Sequence, residues 1–360
     1  MINISSGIYP ELPQLLKQWP GCVLATIVHT EGSTPQKAGS SALIGASGLI
    51  AGTIGGGKTE FKVIEEAQLL IRTRKSGMFT FELRGEITSG SESICGGSMI
   101  ILIDATAEEH LPVFTRLKYS LDQRQPGVLL TLADASDSSD VKVVRQWVAE
   151  ENQTLEQRLK NLRPVVTEMM HNVHAESVRT VPFDGMETLA KGCGLVERIV
   201  PNPSLIIAGA GHVGQALAHL GKFLGFSVTV WDDRAEYADP SKIADADAVL
   251  TGPMEDSLSK IAIRNDCYLV IVTRGHKTDG EVLRQFIGSD AAYIGMMGSK
   301  AKIAKMKTSF FENGWATPEQ WNRIHTPVGL DIGGQTVEEI AISIAAELVK
   351  VRNRKNASNE

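Results

Sequence analysis

The chain has 360 residues with a formal net charge of −6, 42% apolar and 22% charged residues. That length predicts about two domains, each with its own core, and the composition is that of a globular protein. The acidic balance and the lack of any Lys/Arg-rich stretch argue against a nucleic-acid surface, and no apolar run reaches membrane-spanning length. The start Met1-Ile2-Asn3-Ile4-Ser5 has no basic and then apolar signal pattern, so the chain reads as cytoplasmic.

From the N-terminus, Leu12 to Lys17 predicts a short amphipathic helix that ends near Pro20-Gly21, and Val23 to Val28 a buried strand. Ala42-Leu43-Ile44 and Leu49-Ile50-Ala51 form a hairpin around Ser47-Gly48. Gly55-Gly56-Gly57 then opens a helix whose apolar face is Val63, Ile64, Ala67, Leu70 and Ile71. Three glycines at a helix start permit positive φ and leave amides free for an anion, or else make a close-packed turn without a ligand. Strands follow at Phe79 to Leu83 and Met99 to Ile103, with Cys95 where a glycine loop meets the second of them.

Leu15 to Thr26 and Leu121 to Thr131 resemble each other, each placing a helix end and Pro-Gly ahead of an apolar strand, which suggests two similar structural units. Trp147 to Leu162 is expected to be helical and Thr180 to Phe183 extended. His171 and His174 have the i, i+3 spacing of a metal pair but no third ligand nearby, so a solvent-exposed pair is the simpler reading. The four cysteines, Cys22, Cys95, Cys193 and Cys267, form no C-x-x-C pair, which excludes the usual iron–sulfur and structural-zinc spacings and argues against a disulfide framework. Cys22 and Cys267 border apolar strands and belong in a core, whereas Cys95 and Cys193 sit among glycines and are expected nearer the surface.

Pro201 and Pro203 mark a linker, and the apolar run Leu205 to Ala208 then feeds Gly209-Ala210-Gly211-His212-Val213-Gly214. A helical pattern to Leu224, a strand Ser227 to Trp231 and the acids Asp232 and Asp233 complete a βαβ unit of the dinucleotide-binding kind. In such a unit the helix amides and dipole attract phosphate, and the acid after the second strand bonds a ribose hydroxyl. The alternative is a turn whose glycines serve only helix-to-sheet packing. Further strands are predicted at Ala248 to Leu250, Tyr268 to Thr273 and Tyr293 to Met296. Loops after parallel strands form the ligand crevice, which nominates Arg274, His276, Lys277 and Asp279, and Gly298-Ser299-Lys300 repeats a small residue, helix amides and a cation. A loop through Pro327 and Gly329 leads to a last helix with a Thr336/Glu339 capping box and Ile340, Ile344 and Leu348 on one face.

The fold class is therefore α/β. It comprises an N-terminal mixed α+β domain over residues 1–195, a C-terminal Rossmann-type parallel-sheet domain over 196–352, and a polar tail over 353–360. Two blocks of residues resemble the XdhC/CoxI family, accessory proteins of xanthine dehydrogenase and related molybdenum hydroxylases. One runs from Val23 through Thr53-Ile54-Gly55-Gly56-Gly57 and Glu60 to Cys95-Gly96-Gly97. The other runs from Pro203 through the glycine turn, Asp232 with Arg234, Tyr293-Ile294-Gly295 and Gly298-Ser299-Lys300 to Pro327-Val328-Gly329-Leu330-Asp331-Ile332. The chain departs from the pattern at Gln36 and Ser41, where relatives often carry arginine.

The resemblance implies a homo-oligomeric carrier that binds molybdenum cofactor, assists its sulfuration with a cysteine desulfurase and passes it to xanthine dehydrogenase or a related enzyme. The expected pocket is Gly209, Gly211, His212, Gly214 and Asp232, with His276 and Ser299, joined across the domain cleft by Gly55, Gly56, Gly57 and Cys95. Without clustered cysteines for iron–sulfur centres the chain does not read as the hydroxylase itself. The competing expectation is an NAD(P)-dependent oxidoreductase in which His276 or Lys277 handles a proton.

Overall fold

The computed structural model describes residues 7–83, 96–137, 139–172, 176–182 and 188–357. The chain divides into two compact units between Pro201 and Asn202.

The N-terminal unit contains two antiparallel sheets. In the first, β1 (Val23–Glu31) is central, flanked on one side by β2 (Ser41–Gly45) and β3 (Gly48–Gly52) and on the other by β5 (Ser98–Asp104) and β4 (Gly77–Glu82). In the second, β6 (Gly127–Asp134) and β9 (Gly192–Ile199) lie between β7 (Lys142–Val148) and β8 (Val178–Pro182). Because successive strand side chains face opposite ways, β1 sends Val23, Ala25 and Ile27 toward Val63 and Ala67 of α2 (Gly57–Thr73). Its Leu24 packs with Leu43, Leu129, Trp147 and Ile199 in a core shared by the two sheets. Burial on both faces is why β1 reads as an unbroken apolar run. The second sheet repeats the scheme, with Val128, Leu130 and Leu132 against Val166 and Met169 of α4 (Arg163–His171). Helices α1 (Leu12–Gln18) and α3 (Leu111–Asp122), each followed by Pro-Gly and a strand, add Leu12, Leu16, Phe114 and Leu117 to the shared core, in line with the internal likeness in sequence.

Trp147 is not helical: it lies in β7, 2% exposed, and donates its indole N–H to Ser120 Oγ at 3.0 Å. Helical turns begin only at Gln157, leading into α4. The strand alternation is hidden in sequence because the neighbouring inward position holds Arg145, buried in an ion pair with Asp104. Cys193 is also not near the surface; it is buried in β9, where burial pushes its thiol up to about 12. The boundary expected at residue 195 cuts through β9, whose full length pairs with β6.

A second buried polar group lies in the same unit. Tyr9 Oη donates to Glu197 at 2.9 Å, and Ser41 lies within hydrogen-bond distance of both Tyr9 and Thr26. Burial raises the Glu197 carboxyl from the ordinary 4.5 to about 8, outweighing the opposing hydrogen bond from Tyr9 and attraction of Arg145.

The C-terminal unit is a doubly wound parallel sheet of β10 (Ser204–Ala208), β11 (Ser227–Asp232), β12 (Ala248–Thr251), β13 (Cys267–Ile271), β14 (Tyr293–Met296) and β15 (Ile324–His325). Their spatial order is β12-β11-β10-β13-β14-β15. Leu205 and Ile207 pack with α5 (His212–Phe223) and α9 (Val337–Ala357), whereas Ile206 and Ala208 share a cluster with α6 (His276–Phe286), α7 (Lys300–Glu312) and α8 (Pro318–Asn322). The expected capping box at Thr336 and Glu339 is formed, at 3.2 and 3.0 Å. Residues 353–357 of the expected separate tail are instead the end of α9, which continues to Ala357. Among the described residues no helix is long and apolar enough to cross a membrane.

A carboxyl that holds a proton in the folded state and loses it when unfolded destabilises the fold as pH rises between the two pKa values. Stability should therefore be greatest below pH 4.5 with respect to Glu197 and fall through the window up to about 8. The slope is about 1.4 kcal/mol per pH unit. Urea titrations at pH 5 to 8 should show this component, and Glu197→Gln should remove it.

Candidate functional site

At the carboxyl ends of β10, β11, β13 and β14 the chain makes four turns at one edge of the parallel sheet. The connections diverge between the neighbours β10 and β13, which is where doubly wound sheets bind ligands. In the turn after β10 the three glycines have different causes. Gly209 has φ +123°, and a Cβ there would stand 2.4 Å from the Val272 carbonyl oxygen. A Cβ on Gly214 would stand 1.9 Å from the Gly209 oxygen. These two are demanded by the chain's own packing. Gly211 has φ −69° and ψ −176°, extended backbone open to any residue, and no atom lies within 4 Å of where its Cβ would be. It is the N-cap of α5 and provides no capping side chain, so the first-turn amides around His212 open beside free space.

Asp232 ends β11 and is 2% exposed. Its Oδ2 accepts from the Ala210 amide at 2.8 Å and Arg234 Nη2 at 3.0 Å; Oδ1 accepts from Arg234 Nε at 2.8 Å and the Arg234 amide at 3.1 Å. Burial pushes the carboxyl up, but these bonds outweigh it and hold it below its ordinary value. A carboxylate has about four acceptor positions, so the role expected for Asp232, bonding a ribose hydroxyl, is filled inside the chain. The acid instead clamps the glycine turn to the end of β11. Beside it, Arg234 lies 3.8 Å from the centre of the Tyr237 ring, and the Asp233 side chain is 42% exposed.

Asp279 is likewise internal. It is 1% exposed, accepts from the Thr273 amide at 3.2 Å and hydroxyl at 2.5 Å, and pairs with Lys302. It thereby ties the turn after β13 to α6 and α7 rather than facing a ligand. Ser299 caps α7 by accepting from the Lys302 amide at 3.3 Å. His276, the first residue of α6, and Lys277 are exposed. Lys302 and Tyr237 have no local sequence signal: Lys302 reaches an acid 23 positions away. The loop through Pro327 is held from α9, where Glu347 accepts from Tyr293 Oη at 2.5 Å and the Gly329 amide at 2.8 Å, with His325 Nδ1 at 2.9 Å. These partners overcome burial and bring Glu347 down to about 2.

Gly55, Gly56 and Gly57, in the N-terminal unit, all have positive φ as expected. The anion, however, is supplied by the chain itself. Glu60 Oε2 accepts from the Ile54 amide at 3.0 Å, the Thr53 hydroxyl at 2.9 Å and the Gly56 amide at 3.4 Å. Cys95 and His174 lie outside the described residues, and His171 pairs with Glu151 at 2.9 Å. Among the described residues no group of three His, Cys, Asp or Glu side chains is placed to hold a metal ion.

Strand order, helices on both faces and a glycine turn at the switch point define a Rossmann-type domain. Residues 205–348 match the family model described as the XdhC Rossmann domain, and residues 15–82 match that of the XdhC and CoxI family. The chain belongs to the XdhC and CoxI family. A Bacillus subtilis protein, named as a probable subunit of xanthine dehydrogenase, is 27% identical over 351 residues, covering 95% of this chain and 97% of the relative. The uncharacterized protein YqeB of Escherichia coli is 26% identical over 96% of this chain, which spans only 46% of that relative. The crystal structure of a xanthine dehydrogenase from Bacillus halodurans superposes with a TM-score of 0.76 at 25% identity, over 97% of both chains.

The different origins of the turn glycines have a measurable consequence. Gly214→Ala should cost about 1–3 kcal/mol through overpacking. Gly211→Ser, which meets no atom and restores a cap, should stay within about 0.5 kcal/mol of the parent. Urea denaturation of the two variants checks both values.

Proposed function

We propose that this protein is a maturation factor for xanthine dehydrogenase or a related molybdenum hydroxylase, and that the crevice of its Rossmann domain holds the molybdenum cofactor through the phosphate of molybdopterin. The observation that carries this reading is Gly211. Its two companion glycines are required by contacts within the turn, whereas open space stands where the Gly211 Cβ would be, at an uncapped helix N-terminus. Phosphate suits such amides and the helix dipole. Family membership and the names of the relatives support the enzyme partner.

The three described cysteines are buried, and burial raises Cys22 to about 11 and Cys193 to about 12, so neither of these two offers a thiolate to the cofactor. In this reading the sulfur for cofactor maturation comes from a cysteine desulfurase, and the carrier holds the pterin phosphate while its dithiolene end stays accessible. A second reading, an NAD(P)-dependent oxidoreductase, is favoured by the strand order, which is that of dinucleotide-binding sheets.

Gly211→Asp tests the proposal without endangering the fold, because Asp is a preferred N-cap and the backbone there is extended. Its carboxylate would occupy the phosphate position. Protein purified from cells making molybdenum cofactor should carry molybdopterin, measured as its fluorescent oxidation product, and the variant should carry at least tenfold less. Xanthine dehydrogenase produced with the variant should lose activity in parallel. Equal pterin content in both proteins would sink the assignment, and NADH bound in place of pterin would favour the oxidoreductase.

A further inference from the structure

We propose that the N-terminal unit carries a site for a small organic carboxylate, held by Arg198 in an apolar pocket on the α4 face of the second sheet. The site belongs to that unit alone and does not depend on the crevice reading above. Arg198 stands near the end of β9, directly opposite Val128 of β6, which pairs in turn with Val148 of β7. Partners across a sheet face the same way, and both valines are fully buried in the cluster that α4 covers. The rung therefore calls for a third apolar side chain, and the sequence places a half-buried cation there.

A guanidinium taken out of water is costly unless its donors are met. In the same unit Arg145 pairs with Asp104, Arg163 donates to the carbonyls of Glu151 and Gln153, and Arg179 donates to Glu168. The Arg198 side chain has no hydrogen bond or ion pair among the described residues, and burial lowers its pKa with no carboxylate to offset it. The same residue lines a pocket of about 160 Å³ whose other walls include Pro126, Val128, Ala149 and Met170. Size and charge together narrow the occupant. The volume is close to the roughly 150 Å³ that admits one benzene ring and lies below the roughly 300 Å³ at which cofactor-sized pockets begin. The planar fork of guanidinium donors matches the two oxygens of a carboxylate. One cation balances a carboxylate but leaves half the charge of a phosphate dianion unmet. An aromatic or branched aliphatic monocarboxylate satisfies both the cation and the apolar walls.

Calorimetric titration of the intact protein with benzoate, benzamide, acetate and inorganic phosphate tests the site. Benzoate should bind saturably, and benzamide, of the same shape without the charge, about tenfold more weakly, on the scale of a charge-assisted hydrogen bond. Acetate, which lacks the ring, and phosphate, which has no apolar body, should each also be weaker than benzoate by about tenfold. Arg198→Met keeps the rung apolar and should lose about tenfold in benzoate affinity while benzamide changes by less than about twofold. Because that substitution removes a buried cation without a partner, its urea midpoint should be no lower than the parent's. Gly211→Asp should bind benzoate as the parent does, which separates this test from that of the crevice. The proposal is overturned by benzoate binding that survives in Arg198→Met, by benzamide, acetate or phosphate binding as tightly as benzoate, or by no benzoate binding to wild type. A lower urea midpoint in Arg198→Met, which would reveal a partner for the guanidinium inside the protein, or benzoate binding lost in Gly211→Asp overturns it as well.

Discussion

Among the glycines of the C-terminal unit the tightest position is Gly214 of α5, where a single methyl would stand 1.9 Å from the carbonyl oxygen of Gly209. This contact sets the start of α5 directly over the end of β10. Everything at the carboxyl edge of the sheet is measured from it: Val272, just past β13, abuts Gly209, and Asp232 at the end of β11 bonds the Ala210 amide. A bulkier turn would move the helix amides away from the edge and dissolve the arrangement of the crevice.

A common theme runs through the acidic residues near the glycine-shaped turns. Glu60, Asp232, Asp279 and Glu347 each accept backbone or side-chain hydrogen bonds from the very loop that a sequence reading would hand to a ligand. Buried amides and cations need partners, and here the chain provides them from within. The opening of α5 differs, because its cap is a glycine with empty space above it. The difference separates it from Gly55 to Gly57, which carry as strong a glycine pattern around an internal carboxylate, although α6 likewise starts at an uncapped glycine, Gly275.

The N-terminal unit invests its buried polar groups differently. Asp104 pairs with Arg145 where the apolar alternation of β7 would otherwise continue, and Glu197 keeps its proton beside Tyr9. Removing one member of such a buried pair is far more costly than replacing both. These groups occupy the interior of one compact unit, which explains their burial without any external partner.

Much of this architecture is written in local pattern. The apolar runs of β1, β10 and β13, the Pro-Gly exits of α1 and α3, the glycine turn and the Thr336 capping box follow from neighbour-to-neighbour chemistry, and they suffice for the two-part α/β fold. The strand identity of Trp147, the burial of Cys193 and the extent of β9 do not, because they depend on which distant residue arrives to pair or cover: Asp104 for Arg145, Ser120 for Trp147, β6 for β9. Likewise, sequence alone nominated Asp232, Asp279, Ser299 and Gly55 to Gly57 as ligand contacts because acid, hydroxyl and amide are the right chemistry. Only the tertiary structure decided that their hydrogen-bonding capacity is largely engaged within the chain while the space at Gly211 is open. Spacing along a chain sets which groups are available, but folding determines which of them have already met a partner.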